Sequence, residues 1–135
     1  MCIRDRGTGA ETTWATPDAD GWRIDHPLWH STSVGYGDVV TAVQEGESFF
    51  VVGIARRGGW TTARVTFPDV MSGEDPIRQA KFTHNAICEP CGPRRWACAV
   101  PGPAVDVFEA GIVEAGGSVE WTVGPDTSVD DVDFA

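Results

Sequence analysis

The sequence predicts an α+β protein in which a β-meander precedes a second half that contains both helices. Up to Phe67, short apolar or β-branched stretches alternate with turn signals rich in Gly and Asp, as in strands linked by hairpins. After Pro68, two segments have the patterns of helices instead. The length of 135 residues suits one domain or two very small ones.

Residues 11–67 are predicted to form the meander. The turn Asp20-Gly21 separates the first two strands, and a long ordered loop over His26–Tyr36 follows them. The run Phe49–Ala55 is apolar on both faces, which favours a central strand. Five short strands at this spacing indicate a small SH3-like barrel or a strongly curled sheet. They are Glu11–Thr16, Trp22–Asp25, Val39–Val43, Ser48–Arg56 and Trp60–Phe67.

Two helices are predicted in the second half. The first covers Ile77–Asn85, with Asp75 as its N-cap and Pro76 at its first position. The second covers Ala104–Ala115, and one of its faces is apolar. The residues expected to be buried on that face are Val105, Phe108 and Ile112.

Residues 60–123 follow the order strand, helix, strand, strand, helix, strand. This is the order of the split βαβ, or ferredoxin-like, arrangement. It predicts a four-stranded antiparallel sheet with both helices on one face. In this interpretation the strand Trp60–Phe67 is shared, because it ends the meander and begins the second sheet.

The two ends of the chain are expected to lie outside this core. Residues 1–10 are interpreted as a non-native or disordered leader, because Met-Cys-Ile-Arg-Asp-Arg resembles a translated sequencing-adapter remnant. Residues 124–135 are expected to form an acidic tail that is loose or docked through Val132 and Phe134.

The charge of the chain bounds its partners. Twenty Asp and Glu residues against ten Lys and Arg give a net charge of -10, so nucleic acids and anionic membranes are not expected to be attracted. The favoured interpretation of this charge is that it keeps the domain soluble. A protein partner is favoured over these two classes, and a basic one would suit the acidic surface. The chain contains neither a stretch of roughly 18 apolar residues nor a signal segment, and a cytoplasmic location is expected.

The cysteines suggest one conditional metal site. His84, Cys88, Cys91 and Cys98 have a spacing that permits a zinc knuckle, since the turn at Cys91-Gly92 can direct backbone N–H groups at thiolates. A redox pair of the Cys-x-x-Cys type is a second interpretation. Unconnected structural cysteines are the favoured one, because free cysteine is commonly a small buried apolar residue, and no cofactor is expected.

A polar cluster is predicted where the two halves meet. Asp38 follows a glycine at the start of a strand, while Arg57 and Arg64 flank the hairpin that returns beside it. A carboxylate and a guanidinium can therefore meet there and fix the register of the strands in a bidentate contact. If the three side chains converged in an open cleft, an enzymatic site would be indicated; a covered pair would indicate a structural role.

Several stretches together resemble the bacterial domain-of-unknown-function family 4265. The similarity covers most of Glu11–Val123, and the chain departs from the family pattern at Leu28-Trp29-His30 and at the Cys91–Cys98 pair. The resemblance implies this architecture and a cytoplasmic bacterial setting, with no activity attached. The stretches are Glu11-x-x-Trp14, Gly21–Leu28, Gly37-Asp38-Val39-Val40, Arg57-Gly58-Gly59-x-x-Thr62-x-Arg64-Val65 and Trp96–Pro101.

These observations favour a small acidic bacterial domain that binds a protein or a small ligand without catalysis, as a regulatory or immunity protein does. The alternative is a small enzyme whose site lies between the two halves and uses Asp38, Arg57 and Arg64. A zinc-stabilised interaction module is the second alternative.

Overall fold

The computed structural model describes residues 2–4, 11–69 and 73–127. These residues form a mixed α+β structure of nine strands and two α-helices. The strands are divided between a closed five-stranded barrel and a four-stranded sheet. The predicted α+β class is therefore confirmed.

The first five strands form the barrel, and neighbours in the barrel follow the order of the chain. A parallel contact between Arg4 and Phe50 joins the first strand to the fifth and closes the circle. Buried aliphatic side chains fill the interior, among them Ile24, Val40 and Val51. The strands are β1 (Cys2–Arg4), β2 (Thr12–Asp18), β3 (Gly21–Ile24), β4 (Val39–Glu45) and β5 (Ser48–Arg56).

Strand β1 differs from the disordered leader that the sequence suggested. Ile3 is completely buried in the barrel core, and Cys2–Arg4 pair with residues of β2. The barrel needs this strand because β2 and β5 would otherwise each keep an unpaired edge. Residues 5–10 lie outside the described residues, as do residues 128–135 of the predicted tail, which include Val132 and Phe134.

The remaining strands form an antiparallel sheet in the order β7-β8-β6-β9. Helix α1 connects β6 to β7, and a short 3-10 turn with helix α2 connects β8 to β9. The elements are β6 (Trp60–Thr66), α1 (Glu74–His84), β7 (Ile87–Gly92), β8 (Arg95–Pro101), α2 (Val105–Glu114) and β9 (Ser118–Val123). In the described ranges, neither helix is long and apolar enough to cross a membrane.

The two helices share one core with the sheet. Phe108 and Ile112 of α2 are each 1% exposed, as the apolar pattern predicted, while Val105 is only partly buried. Helix α1 contributes Ile77 and Ala80 to the same core. It begins at Glu74, so Asp75 lies in the first turn rather than at the N-cap, which Gly73 occupies. An acid in the first turn still stabilises the positive end of the helix dipole.

Strand β6 belongs to the sheet alone. Its two edges pair with β8 and β9, so neither edge is left to pair with a barrel strand. The expectation that Trp60–Phe67 serves both halves is therefore wrong, since a strand has only two hydrogen-bonding edges. The chain passes from the barrel to the sheet through the turn Arg57-Gly58-Gly59, which links the halves covalently.

The face of the sheet opposite the helices meets the barrel side of the molecule. Side chains alternate between the two faces of a strand, so Cys98 and Val100 of β8 enter the helical core while Arg95, Ala97 and Ala99 face the other way. The two alanines are fully buried.

Candidate functional site

Asp38 and Arg57 form a covered ion pair where the barrel meets the sheet. Nη1 of Arg57 donates to Oδ2 of Asp38 at 2.7 Å, and the two side chains are only 12% and 4% exposed. Asp38 precedes β4 by one residue and Arg57 follows β5 by one residue. Because Val39 is paired with Arg56 across these strands, the register of the β4–β5 hairpin places the two charged residues side by side.

Both oxygens of the Asp38 carboxylate are occupied. Oδ2 also accepts the backbone N–H of Gly35, and Oδ1 accepts that of Gly58, each at 2.8 Å. The contact with Arg57 is therefore not the predicted bidentate one, because the Gly58 backbone takes the second oxygen. A buried carboxylate with three donors is held as an anchor, with no free oxygen directed at solvent to act as a general base.

Arg57 extends this anchor to two further segments. Its Nη1 also donates to the carbonyl of Ser33 at 2.7 Å, and its Nη2 donates to the carbonyl of Thr127 at 3.0 Å. Nε of Arg57 is buried without a hydrogen-bond partner among the described residues. One guanidinium thus holds the loop before β4 and the segment that follows β9.

Two glycines allow the backbones to meet at this point. A Cβ added to Gly58 would lie 2.3 Å from the carbonyl carbon of Gly37, which is far inside van der Waals contact. Gly37 itself has φ +82°, a conformation that other residues rarely adopt. This close approach brings the Gly58 N–H to Asp38, and the Tyr36 and Trp60 rings pack edge to face beside it with centroids 4.9 Å apart.

Arg64 binds a different part of the same loop. From β6, its Nε donates to the carbonyl of Trp29 at 2.5 Å, and its Nη2 donates to that of His30 at 3.0 Å. Its Nη1 forms an ion pair with Glu120 at 2.9 Å. The structure therefore brings Asp38 and Arg57 together, while Arg64 is engaged separately.

Glu11 is a member of this arrangement that the sequence analysis did not select. Its carboxylate accepts three consecutive backbone N–H groups, those of Trp29, His30 and Ser31, at 2.8–3.0 Å. Arg64 binds the backbone carbonyls of Trp29 and His30 in the same short segment. The Glu11 carboxylate therefore holds the N–H groups of this segment, and the Arg64 guanidinium holds its carbonyl groups. In the sequence, Glu11 begins a predicted strand, and the stretch Glu11-x-x-Trp14 contributes to the family resemblance. Neither pattern indicates that its carboxylate binds a loop.

We call this set of charged residues, Glu11, Asp38, Arg57 and Arg64, the seam. All four bind the backbone of residues 29–35 or the turn at Gly58, and the two arginines also bind Thr127 and Glu120. Outside the seam, His26 contacts Glu89 of β7, and the Arg95 guanidinium lies 5.6 Å from the centre of the Trp29 ring. The seam therefore holds the loop of residues 29–35 in a fixed position against the sheet.

The predicted zinc ligands do not form one site. Cys88 and Cys98 are buried in the core of the sheet, Cys91 is partly buried on an irregular part of β7, and His84 lies in the last turn of α1. Within the part of the chain that the structure describes, no three His, Cys, Asp or Glu side chains are grouped to hold a metal ion. Cys91 lies three residues after Cys88, so strand alternation places it on the opposite face, and β7 is irregular there, with a shift in register between Pro90 and Gly92.

A groove of about 400 Å³ lies between α1 and α2 on the outer side of the helical layer. We call it the interhelical groove. Its floor is apolar and includes Ala80, Phe108 and Ile112. Val107 and Gly111 form the wall on α2, and the polar residues around it are Asp75, Gln79, His84 and Glu114.

Exposed apolar side chains accompany this groove. Phe82 is 90% exposed and lines a neighbouring depression that shares Asp75 and Gln79 with the groove. Val107 on the opposite wall is 53% exposed. Helix α2 carries Asp106, Glu109 and Glu114 but no basic residue, so the apolar surface is flanked by negative charge.

Comparisons with known proteins bear on the fold. No family model matches the chain, and no curated protein matches it. A solved structure described as "Novel crystal structure of a hypothetical protein from Neisseria gonorrhoeae" superposes with a TM-score of 0.69. The match covers 87% of this chain and 85% of that chain at 15% identity, so the likeness is one of fold.

Proposed function

We propose that this chain is a non-enzymatic protein-binding module and that the interhelical groove receives an apolar, basic segment of its partner. The observation that carries this proposal is the exposed apolar surface formed by Val107 at a groove with an apolar floor and by Phe82 in the depression beside that groove. Contiguous exposed apolar surface with a polar rim is typical of interaction sites.

The charge of the helical layer supports a basic occupant. Glu114 and Asp75 lie at the groove, where Asp75 pairs with Arg78 of α1, and α2 adds Asp106 and Glu109 without any Lys or Arg. The net charge of -10 extends the same potential over the whole chain. An amphipathic helix with an apolar stripe and flanking lysines would bury its stripe between α1 and α2 and place its charges against these acids.

The seam lends little support to the alternative of a small enzyme. Asp38 and Arg57 are covered and saturated, and Arg64 is bound to loop carbonyls. The zinc-stabilised module is also weakly supported, because Cys88 and Cys98 lie in an apolar core away from His84. Binding rather than catalysis is therefore the function we put forward, with a regulatory or immunity role in a bacterial cytoplasm as its setting.

The same proposal includes the finer fold. The order β7-β8-β6-β9, with a helix in each crossover, supports a ferredoxin-like sheet, and the closed five-stranded barrel supports an SH3-like one. We also propose that the chain is related to family 4265; two of the stretches that carry the resemblance, Gly37-Asp38 and Arg57-Gly58, are in contact in the structure.

A designed peptide tests the binding function. The probe is a fluorescent 14-residue helix of Leu and Lys with one apolar face, and the control probe replaces every Lys with Glu. The full chain is expected to bind the basic peptide, with chemical-shift changes confined to residues of the interhelical groove. Binding of the acidic peptide with equal affinity, or shifts spread away from the groove, would contradict the proposal.

Two valines on α2 provide matched variants. Val107 borders the groove at 53% exposure, whereas Val113 is 57% exposed and does not line it. Val107→Arg is expected to weaken peptide binding by about 10-fold or more, and Val113→Arg, which adds the same charge to the same helix, by less than about 3-fold. If both variants lost the same affinity for the peptide, the loss would be caused by the added charge and would not locate the peptide in the groove.

A further inference from the structure

Cys88 and Cys98 occupy directly opposite positions in the antiparallel pair β7–β8. Residues so placed have Cα atoms about 4.5–5.5 Å apart and side chains on the same face. This separation lies within the range of about 4.4–6.8 Å that disulfides span. A bond between the two sulfurs therefore requires no rearrangement of the backbone.

The two thiols already interact. A hydrogen bond from the Cys98 thiol lowers the pKa of Cys88, burial opposes this shift, and the nearby Lys81 ammonium adds to it. The same contact, together with burial, raises the pKa of Cys98 well above that of an ordinary thiol. The pair is thus unequal, because Cys88 loses its proton more readily than Cys98 does.

The position of β7 gives a route for a small reagent. Cys98 is completely buried and Cys88 is 5% exposed, but β7 is the edge strand of the sheet and is paired only with β8. Edge strands open locally at a lower free energy than central ones. Opening of β7 exposes Cys88 while the rest of the sheet stays intact.

We propose that Cys88 and Cys98 form a redox-active dithiol that a hydroperoxide converts to an intramolecular disulfide. The Cys88 thiolate attacks one peroxide oxygen, the O–O bond breaks, and a sulfenic acid and hydroxide form. The Cys98 sulfur then gives its proton to the departing oxygen and attacks the Cys88 sulfur, releasing water. Two thiols and one hydrogen peroxide become one disulfide and two waters, and two equivalents of a small thiol reverse the reaction.

Cys91 is not part of this site. It lies in the irregular segment between Pro90 and Gly92, where its Sγ donates to the carbonyl of Glu89 at 3.6 Å. Burial raises its pKa, and the carboxylates of Glu11 and Glu89 raise it further. Cys91 therefore supplies a control cysteine close to the pair but without its geometry.

The test exposes the native full chain to equimolar hydrogen peroxide, blocks remaining thiols with N-ethylmaleimide, and maps the peptides by mass spectrometry. Before alkylation we expect a monomer lighter by about 2 Da than the reduced chain, and after alkylation we expect linked Cys88 and Cys98 peptides that regain both thiols with glutathione. Oxidation found only at the exposed Cys2 or at Cys91, with Cys88 and Cys98 both alkylated after unfolding, would overturn the proposal.

Two variants sharpen this result. Cys91→Ser is expected to form the disulfide at the wild-type rate. Cys88→Ser lacks one of the two sulfurs, so its Cys98 is expected to be oxidised at least about 10-fold more slowly than in the wild type. The oxidation rate of Cys91→Ser should rise with pH, because the thiolate of Cys88 is the nucleophile. A rate that does not change with pH, or oxidation of Cys98 at the wild-type rate in Cys88→Ser, would contradict the assignment. Both readouts are independent of the interhelical groove.

Discussion

At the scale of single residues, each charged side chain of the seam binds backbone groups. Asp38 takes two N–H groups besides its ion pair, Glu11 takes three, and Arg64 takes two carbonyls. A side chain used in this way fixes the path of a loop, because peptide groups that leave water need a partner inside the protein. Removing such a side chain therefore leaves unpaired backbone groups as well as a charge.

Asp38→Ala provides the test at this scale. We expect the free energy of unfolding to fall by about 3–5 kcal/mol, because the variant leaves the Arg57 guanidinium buried without its carboxylate. The melting temperature should drop by roughly 10 °C or more. Asp75→Ala is the control, since its pair with Arg78 is exposed and should change stability by less than about 0.5 kcal/mol. If Asp38→Ala melted at the same temperature as the wild type, the alternative in which Asp38 is a functional carboxylate would be favoured instead.

The sequence allowed the Asp38–Arg57 pair to be predicted, but it did not indicate the partners of Arg64 and it missed Glu11. The two residues flank strands of one hairpin, so local register is enough to bring them together. Arg64 and Glu11 bind residues of a long loop without regular structure, whose path depends on tertiary contacts. Periodicity carries no information about such a path.

At the scale of elements, length decides which ones could be predicted. Helix α2 has ten residues and an apolar stripe, and its inward residues Phe108 and Ile112 were foreseen. Strand β1 has only three residues, which is too short for a hydrophobic pattern. Its importance comes from its place in the barrel, between β2 and β5.

Ile3→Ala tests whether β1 is required for the barrel. Ile3 is fully buried, so we expect the substitution to lower the free energy of unfolding by about 2–5 kcal/mol through lost burial and a residual cavity. Cys2→Ala on the same strand alters an exposed side chain and should shift stability by less than about 0.5 kcal/mol. Chemical denaturation measures both, and equal midpoints for the two variants would show that the barrel does without β1.

At the scale of the whole molecule, two separate apolar cores are joined through polar contacts. One core lies inside the barrel and the other between the sheet and its helices. The seam, the His26–Glu89 contact and the Arg95–Trp29 contact connect them. Cooperative unfolding of the whole chain therefore depends on a small number of polar groups whose positions span both halves.

Arg64→Met tests this coupling, because Arg64 lies on β6 and holds the loop of the barrel side through Trp29 and His30. In calorimetry the wild type is expected to unfold in one transition, with equal van't Hoff and calorimetric enthalpies. Arg64→Met should melt earlier and give a van't Hoff enthalpy below the calorimetric one, since the two cores then unfold separately. Arg56→Met is the matched control, because Arg56 pairs with Asp18 and Asp20 of the same barrel half. This substitution therefore leaves the contacts between the two halves intact. If both variants keep a single transition with the same midpoint, the cores are coupled by packing and the seam serves only to position the loop.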